Sequence, residues 1–209
     1  MTSKKKSNKN IKKDVEIDCI IEIPVNSNLK MEIDYNYGMM RLDRKLETSM
    51  VYPGNYGYVP NTLCGDGDAL DIIIPVDYQI PSSTIVKCRV VGVFLMSDES
   101  GMDEKLIVYP VSKVDNRFDN IKNLKDIPES TLKKIEHFFK RYKDLSKGKY
   151  VNPKGFKNKK YAIKVLNDSY KLYKKTNKKS NKKSNKKSNK KSNKKSNKKS
   201  NKKSNKKSI

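Results

Sequence analysis

The C-terminal end of the chain is a four-residue repeat with nothing to bury, which confines any folded domain to the residues before it. From Ser180 onward, Ser-Asn-Lys-Lys occurs seven times and is followed only by Ser208 and Ile209. The repeat contains no apolar side chain to offset the entropy cost of ordering, and its lysines repel one another. We therefore expect a disordered tail over residues 174–209, either purely solvating or with weak affinity for polyanions.

Charge separates the two ends of the chain from its middle. Of the 48 basic residues, 18 lie in residues 174–209 and 6 in residues 1–13, and neither end contains an acidic residue. Residues 14–173 hold 24 basic and 23 acidic side chains, so the net charge of +25 belongs to the ends. We predict a flexible basic N-terminal arm (1–13), one globular domain (14–173) and the tail (174–209).

Cysteine, histidine and apolar patterns exclude several classes of protein. The three cysteines, Cys19, Cys64 and Cys88, form no C-x-x-C pair, and an odd number indicates a reducing compartment, so we expect a cytoplasmic protein. The apolar runs are too short to span a membrane, and no signal-peptide pattern is present, so no membrane partner is expected. A single histidine, His137, excludes an ordinary His/Cys zinc site and most His-dependent nucleophiles.

The domain is predicted to be α+β and mainly β. Short strands are predicted over residues 19–23, 30–35, 38–42, 69–76, 84–96 and 105–111, the first three as a meander and the last two as a hairpin with Gly101 in its turn. After Pro128 the apolar period changes to three and four, which predicts a helix that ends near Gly148. Its inward residues would be Leu132, Ile135, Phe138, Phe139, Tyr142 and Leu145. A second helix is predicted over about 158–173, with Tyr161, Val165, Leu166 and Leu172 inward. Many short strands followed by helices favour a small closed sheet.

Two acidic clusters are the candidates for chemistry. Residues 66–71 read Asp-Gly-Asp-Ala-Leu-Asp, and residues 98–104 contain four more carboxylates. Such close like charges repel unless a divalent cation lies between them or their pKa values rise. Ligands that are all oxygen select hard cations, so Mg²⁺ is implied, with Mn²⁺ as a substitute. The alternative is two solvated acidic turns.

Competing motifs do not fit. An EF-hand that began at Asp66 would need glycine where Asp71 stands and glutamate where Asp77 stands. Phosphate-binding glycine loops and the serine-hydrolase elbow are absent from the sequence. Basic and phenolic residues accompany the acids instead: Lys30, Arg44, Lys105, Lys143 and Lys149, with Tyr52, Tyr56 and Tyr142. Carboxylates for metals beside cationic donors suit a phosphate ester or anhydride, although surface lysines and core tyrosines are the simpler interpretation of each residue alone.

Residues 66–71 resemble the D-G-D-P-x-D signature of the family I soluble inorganic pyrophosphatases, with Ala69 in the place of the usual proline. Other blocks resemble that family in the same order over about residues 18–173: Glu22-Ile23-Pro24, Lys30-Met31-Glu32-Ile33, Asp43-Arg44, residues 52–58, Asp98-Glu99 with Asp103 and Lys105, and residues 137–139 leading to 142–145. The resemblance implies a five-stranded OB-like closed barrel with flanking helices. It also implies magnesium-dependent hydrolysis of inorganic pyrophosphate to two orthophosphates by a metal-activated water.

The resemblance further implies a role for individual residues. Asp68 would be the general base. Asp66, Asp71, Asp98 and Asp103 would bind the metals, Lys30, Arg44, Tyr56, Tyr142 and Lys143 would bind pyrophosphate, and Glu22, Glu32, Tyr52 and Lys105 would support them. The compact domain is similar to the shorter bacterial members, which implies a homo-oligomer, with a hexamer favoured over a dimer.

An OB-type module that binds RNA or DNA without catalysis is the alternative from another class. Such modules stack bases on aromatic side chains in a basic groove. Here the tyrosines stand beside acids that would repel a phosphate backbone, which favours the enzyme. Release of orthophosphate from pyrophosphate, with magnesium and with a chelator, distinguishes the two hypotheses.

Overall fold

The structure, a computed structural model, describes residues 14–178, which contain eight strands and two helices. The strands are β1 (Glu16–Ile23), β2 (Leu29–Asp34), β3 (Met39–Lys45), β4 (Asn55–Tyr58), β5 (Asp71–Ile74), β6 (Ile85–Asp98), β7 (Gly101–Pro110) and β8 (Val151–Asn158). Helix α1 covers Glu129–Arg141, and helix α2 covers 159–178. Two short 3₁₀ turns, Asn116–Phe118 and Leu124–Asp126, precede α1.

Five of the strands close into a ring. They follow the order β1-β4-β5-β7-β6, and β6 pairs back with β1, while β8 pairs with β6 outside the ring. The predicted closed five-stranded sheet with flanking helices is therefore confirmed. The predicted meander of the first three strands is wrong, because β2 and β3 form a separate two-stranded sheet and β1 pairs with β4 and β6.

Alternating burial along β1 fills the interior of the ring. Its inward side chains are Ile17, Cys19, Ile21 and Ile23, as period-2 patterning requires. The ring closes tightly at Gly57 of β4, where an added Cβ would lie 1.9 Å from the carbonyl oxygen of Ile20. Any larger residue there would push β4 away from β1, so this glycine permits the close approach of the two strands.

The structure differs from the predicted strands in three places. Strand β4 was not predicted, because four residues with a central glycine show no apolar alternation. Strand β8 was not predicted because Pro153 and Gly155 make its sequence resemble a loop. The predicted polar loop between β6 and β7 is much shorter, since Asp98 already pairs with Gly101 across a two-residue turn.

The helices also differ from their predicted faces and ends. Helix α1 ends at Arg141, not near Gly148, and Leu145 is 66% exposed, not inward. In α2, Leu166 is buried as predicted, whereas Tyr161 is 40% exposed and Leu172 is 38% exposed. None of the helices within residues 14–178 is long and apolar enough to cross a membrane. The predicted arm (1–13) and the tail beyond residue 178 lie outside the described residues.

Candidate active site

The predicted residues converge on the end of the ring where β5 begins. Asp71 is the first residue of β5, and it lies opposite Lys105 of the parallel neighbour β7. On its other side Asp71 lies opposite Tyr58 of β4. Asp103 lies two residues before Lys105, so both point to the same side of β7. Residues distant in sequence are thus placed next to one another by strand pairing.

A buried ion-pair cluster forms the centre of the site. The Lys105 ammonium, whose side chain is 2% exposed, donates to Asp71 Oδ2 at 2.7 Å and to Asp103 Oδ1 at 2.6 Å. The Tyr56 hydroxyl donates to the same oxygen of Asp71. Burial alone would lower the pKa of Lys105, but the two carboxylates raise it above the usual value. Lys105 therefore remains charged at neutral pH.

Burial and neighbouring acids act together on the carboxylate of Asp103. Burial raises its pKa, and the negative charge of Asp71 raises it further, while Lys105 opposes the shift. The Lys105 ammonium also lies 5.4 Å from the ring centroid of Phe139, a residue that sequence reasoning did not assign to the site. The helical spacing of Phe139 indicates only a core residue. The rings of Tyr56 and Phe139 exclude water from Lys105, which strengthens its attraction to Asp71 and Asp103.

The acidic loop turns sharply between Asp66 and Asp68. Asp66 Oδ1 accepts from the backbone N–H of Asp68 at 3.0 Å, and the N–H of Cys64 donates to the carbonyl of Asp68 at 2.7 Å. Gly67 has φ = +99°, a conformation that favours glycine. Residues 66–68 therefore form a turn and not an extended segment. Partial burial raises the pKa of Asp68, and Asp66 and Asp71 raise it further.

Lys143, just after α1, pairs with acids of the β6–β7 turn. Its Nζ lies 2.8 Å from Asp98 Oδ2 and 3.4 Å from Glu99 Oε1. Partial burial opposes the shift, but the hydrogen bond from Lys143 lowers the pKa of Asp98 below its usual value. Glu99, which also binds Lys149 Nζ at 2.7 Å, was not assigned a role from the sequence. Its position next to Asp98 in the acidic cluster was the sequence feature that could have indicated a role in the site.

The hairpin of β2 and β3 supplies the cationic side. Lys30 pairs with Glu32 and lies 3.4 Å from Asp43 Oδ2, while Arg44 also pairs with Asp43. The positive charge of Lys30 opposes the rise in the pKa of Asp68, so Lys30 lies near that carboxyl. Asp43 was quoted as part of a motif but received no role, although it lies between the two cations. Lys30 and Arg44 are opposite each other in the hairpin, so both present their charge together.

Three tyrosines line the site with packed rings. Tyr52 lies 4.8 Å and Tyr142 lies 5.2 Å from Phe138, and the rings of Tyr52 and Tyr56 lie 5.3 Å apart. Tyr52 and Tyr56 are buried. Burial raises the pKa of Tyr142, although Lys105 and Lys143 oppose the shift. Two of the three rings are therefore buried and Tyr142 is partly buried, so they do not form the exposed row of aromatic faces on which bases stack.

Glu22 of β1 connects the site to the β2–β3 hairpin. Its Oε1 accepts from the backbone N–H of Ile33 at 3.1 Å. Burial raises the pKa of Glu22 to about 7, the hydrogen bond from Ile33 opposes the shift, and Asp71 and Glu32 add to it. A glutamate with such a pKa is half protonated near neutrality.

We expect Glu22→Gln to make the folded state more stable at pH 8 but not at pH 4. The raised pKa means that ionising Glu22 costs the folded state free energy, and this cost develops as the pH rises from about 4.5 to about 7. The variant removes a cost on the order of 1–2 kcal/mol, discounted for the partial exposure of Glu22. Urea unfolding at both pH values measures the difference, with the exposed Glu16→Gln as the matched control. A gain that is the same at pH 4 and pH 8 would contradict the prediction.

The donor chemistry of the site fits a hard divalent cation. Burial raises the pKa of the Cys64 thiol, and the negative charges of Asp66, Asp71 and Asp103 raise it further. The three carboxylates therefore lie within one small region. Among residues 14–178, no group of three His, Cys, Asp or Glu side chains is arranged around one ion position. The Lys105 ammonium instead lies between Asp71 and Asp103. The carboxylate oxygens are nonetheless the donors that Mg²⁺ prefers.

Comparison with known proteins gives one consistent result. The family model for inorganic pyrophosphatase matches residues 19–174. An inorganic pyrophosphatase of Campylobacter jejuni is 46% identical over 159 residues, which cover 76% of this chain and 92% of that protein. One from Helicobacter pylori is 48% identical over 154 residues, covering 74% and 89%.

Solved structures agree. The inorganic pyrophosphatase structure from Helicobacter pylori has a TM-score of 0.75 and 46% identity, and the match covers 76% of this chain and 94% of that one. The structure from Thermus thermophilus has a TM-score of 0.73 and 36% identity, with coverage of 83% and 97%. The chain therefore belongs to the inorganic pyrophosphatases, a family of enzymes, and specifically to the bacterial family I type.

Proposed function

We propose that this enzyme hydrolyses inorganic pyrophosphate to two orthophosphates with Mg²⁺ as its cofactor. The observation that carries the proposal is the buried cluster of Lys105 with Asp71 and Asp103, placed between the acidic loop and the cationic hairpin. The proteins to which the chain is similar carry the name of this activity. A phosphoric anhydride needs acids for a cation on one side and basic side chains for its oxygens on the other.

Asp66, Asp71 and Asp103 would hold the cation, with Asp98 as a further ligand and Mn²⁺ as a substitute for Mg²⁺. When bound, the cation lowers the pKa of water and neutralises phosphoryl oxygens. The Tyr56 hydroxyl holds one oxygen of Asp71 in a fixed orientation. Lys105 contacts both Asp71 and Asp103 and so holds the two carboxylates close together, where both could act as ligands.

The remaining residues bind substrate and move a proton. Lys30 and Arg44 of the hairpin would bind the substrate oxygens, together with Tyr56, and with Lys143 and Tyr142 just after α1. Asp68 accepts the proton of the attacking water, because its carboxylate is exposed and makes no side-chain hydrogen bond among residues 14–178. Glu22, Glu32 and Tyr52 would hold these groups in place: Glu22 binds the backbone of the hairpin, Glu32 pairs with Lys30, and Tyr52 packs against Tyr56.

Metal dependence tests the proposed function directly. A chelator should abolish release of orthophosphate from pyrophosphate, Mg²⁺ should restore it, and Ca²⁺ should restore little because it prefers larger and looser coordination. Asp71→Asn should lower turnover much more than the matched change Glu104→Gln, because Asp71 contacts both Lys105 and Tyr56. Full activity in the chelator would reject the metal requirement. Equal losses in the two variants would reject the role of Asp71, and no release under any condition would favour a binding module.

Self-association and location are part of the proposal. Tyr35, Tyr37 and Met39 at the tip of the β2–β3 hairpin are 76%, 72% and 67% exposed, which favours burial against another copy. We propose a homo-oligomer, and the resemblance to the shorter bacterial members favours a hexamer over a dimer; the match covers about nine tenths of two bacterial relatives. A cytoplasmic location is supported by three free cysteines, two of them buried. The mass in solution tests the oligomer, and the domain limits at residues 14 and 173 remain predictions.

A further inference from the structure

The exposed side of helix α2 carries a line of lysines. At 3.6 residues per turn and 1.5 Å per residue, the line lies within an arc of about 100° and is about 27 Å long. On the opposite side, Ala162, Leu166 and Ser169 are buried against the domain. The line, which we name the lysine stripe, consists of Lys160, Lys164, Lys171, Lys174, Lys175 and Lys178, all exposed.

The charge of the stripe is largely without acidic partners. Within residues 14–178, Lys171 pairs with Asp168 at 3.0 Å, and the other five lysines make no ion pair. The cations of the active site differ, since Lys30, Lys105 and Lys143 each contact carboxylates. A further 15 lysines follow the stripe in residues 179–209. The positive charge of the C-terminal end therefore begins on a helix and not only in the repeat.

We propose that the lysine stripe binds the phosphate backbone of nucleic acid without sequence preference. One strand of a duplex presents a phosphate about every 3.4 Å of axis, so a stripe about 27 Å long can reach several phosphates where the backbone passes it. Lysines that neutralise phosphates release counterions, which supplies most of the free energy of non-specific binding. The stripe presents flexible ammonium groups, with Asn167 as the one exposed amide within the same arc, so it suits contacts to phosphates and holds no set of side chains for reading a base sequence.

The geometry of α2 disfavours a membrane as the partner. A helix that lies on a lipid surface inserts an apolar face, whereas the apolar face of α2 is packed on the domain. Its most exposed apolar side chains, Tyr161 and Leu172, line a cavity together with Leu63, and Ile163 and Val165 pack against the core. Helix α2 thus presents no continuous apolar face to lipid, while the lysines remain available to phosphates.

Nucleic-acid binding and pyrophosphate hydrolysis fit one reaction sequence, an argument that depends on the proposed function. Nucleotidyl transfer to a growing strand releases pyrophosphate beside that strand. An enzyme held on the strand by the stripe would meet its substrate where it is released. Lys164 of the stripe lines a cavity with Cys64, Gly65 and Glu104, next to the acidic loop. The acids of that loop repel phosphodiesters, so the bound strand would follow the stripe without entering the active site, and turnover should stay unchanged.

The test separates the stripe from the repeat in the full-length chain. A background variant has every lysine from Lys179 to Lys207 replaced by Gln. On that background, Lys160, Lys164, Lys174 and Lys175 are replaced by Gln, and binding of a mixed-sequence DNA duplex of about 30 base pairs is followed by fluorescence anisotropy between 50 and 200 mM salt. We expect affinity at 50 mM to fall about tenfold or more, and the slope of log K against log salt to flatten by about 3 to 4.

A control variant has the same net charge but a different pattern. It replaces Lys113, Lys125, Lys134 and Lys140, which are exposed and make no ion pair among residues 14–178, by Gln. We expect its affinity to stay within about twofold of the background. Equal losses in the two variants, or better competition by phosphatidylserine vesicles or inorganic polyphosphate than by unlabelled duplex, would overturn the proposal. Orthophosphate release on the same preparations is a separate readout, so loss of activity alone would reject only the proposed function.

Discussion

Replacing Asp68 by Asn should lower kcat by about 10²- to 10⁴-fold and change KM much less. The amide cannot accept the proton of the attacking water, but it keeps the size of the side chain. The backbone contacts that hold the loop, from Asp68 N–H to Asp66 and from Cys64 N–H to the Asp68 carbonyl, do not involve the replaced group. The loss should therefore fall on the chemical step and not on folding.

Kinetics at saturating magnesium measure this prediction, with Asp77→Asn as the control. Asp77 is 79% exposed in its side chain and lies 3.9 Å from Arg117, away from the site. The pKa of Asp68 is raised by partial burial and by its acidic neighbours, so wild-type activity should fall on the acid side as this carboxylate is protonated. A kcat near that of the wild type, or a loss accompanied by unfolding, would remove Asp68 from the role of base.

The chemistry of the site was readable from local patterns, whereas its assembly was not. The acids of residues 66–71, and Asp98 and Asp103, can be recognised from the sequence because each cluster places several like charges within a few residues, where they repel one another unless a cation is bound. Their meeting depends on strand pairing: β5 pairs in parallel with β7, more than 30 residues later, and β6 closes the ring on β1. No period within a single segment carries such information, which is why the meander was predicted instead.

Burial of charge was the second feature beyond the reach of the sequence. Lys105 follows two acids in its strand, and the local pattern does not show that it is more buried than Lys87 on the neighbouring strand. In the structure Lys105 is buried, while the Lys87 side chain is 46% exposed. The turn at Gly67 also escaped prediction, because a glycine between two aspartates is compatible with either an extended or a turned backbone.

Replacing Lys105 by Met should destabilise the folded enzyme by about 3–5 kcal/mol at neutral pH, because it leaves two partly buried carboxylates facing each other without their cation. The methionine fills most of the volume, so the loss reflects charge and not a cavity. Lys87→Met is the matched control. Lys87 lies 2.7 Å from Asp18 at the surface, where such a pair contributes at most about 1 kcal/mol.

The origin of the loss can be tested by pH and by a second substitution. Burial and Asp71 already raise the pKa of Asp103, so a proton taken up by the cluster at low pH should replace part of the missing charge. Urea unfolding in a chelator should then show a smaller difference from wild type at pH 5 than at pH 8. Adding Asp71→Asn to Lys105→Met should recover part of the stability, because one of the two repelling charges is gone. A loss independent of pH, and additive with Asp71→Asn, would mean that Lys105 acts through packing. The expected coupling would instead show that the lysine holds the carboxylates together for the cation.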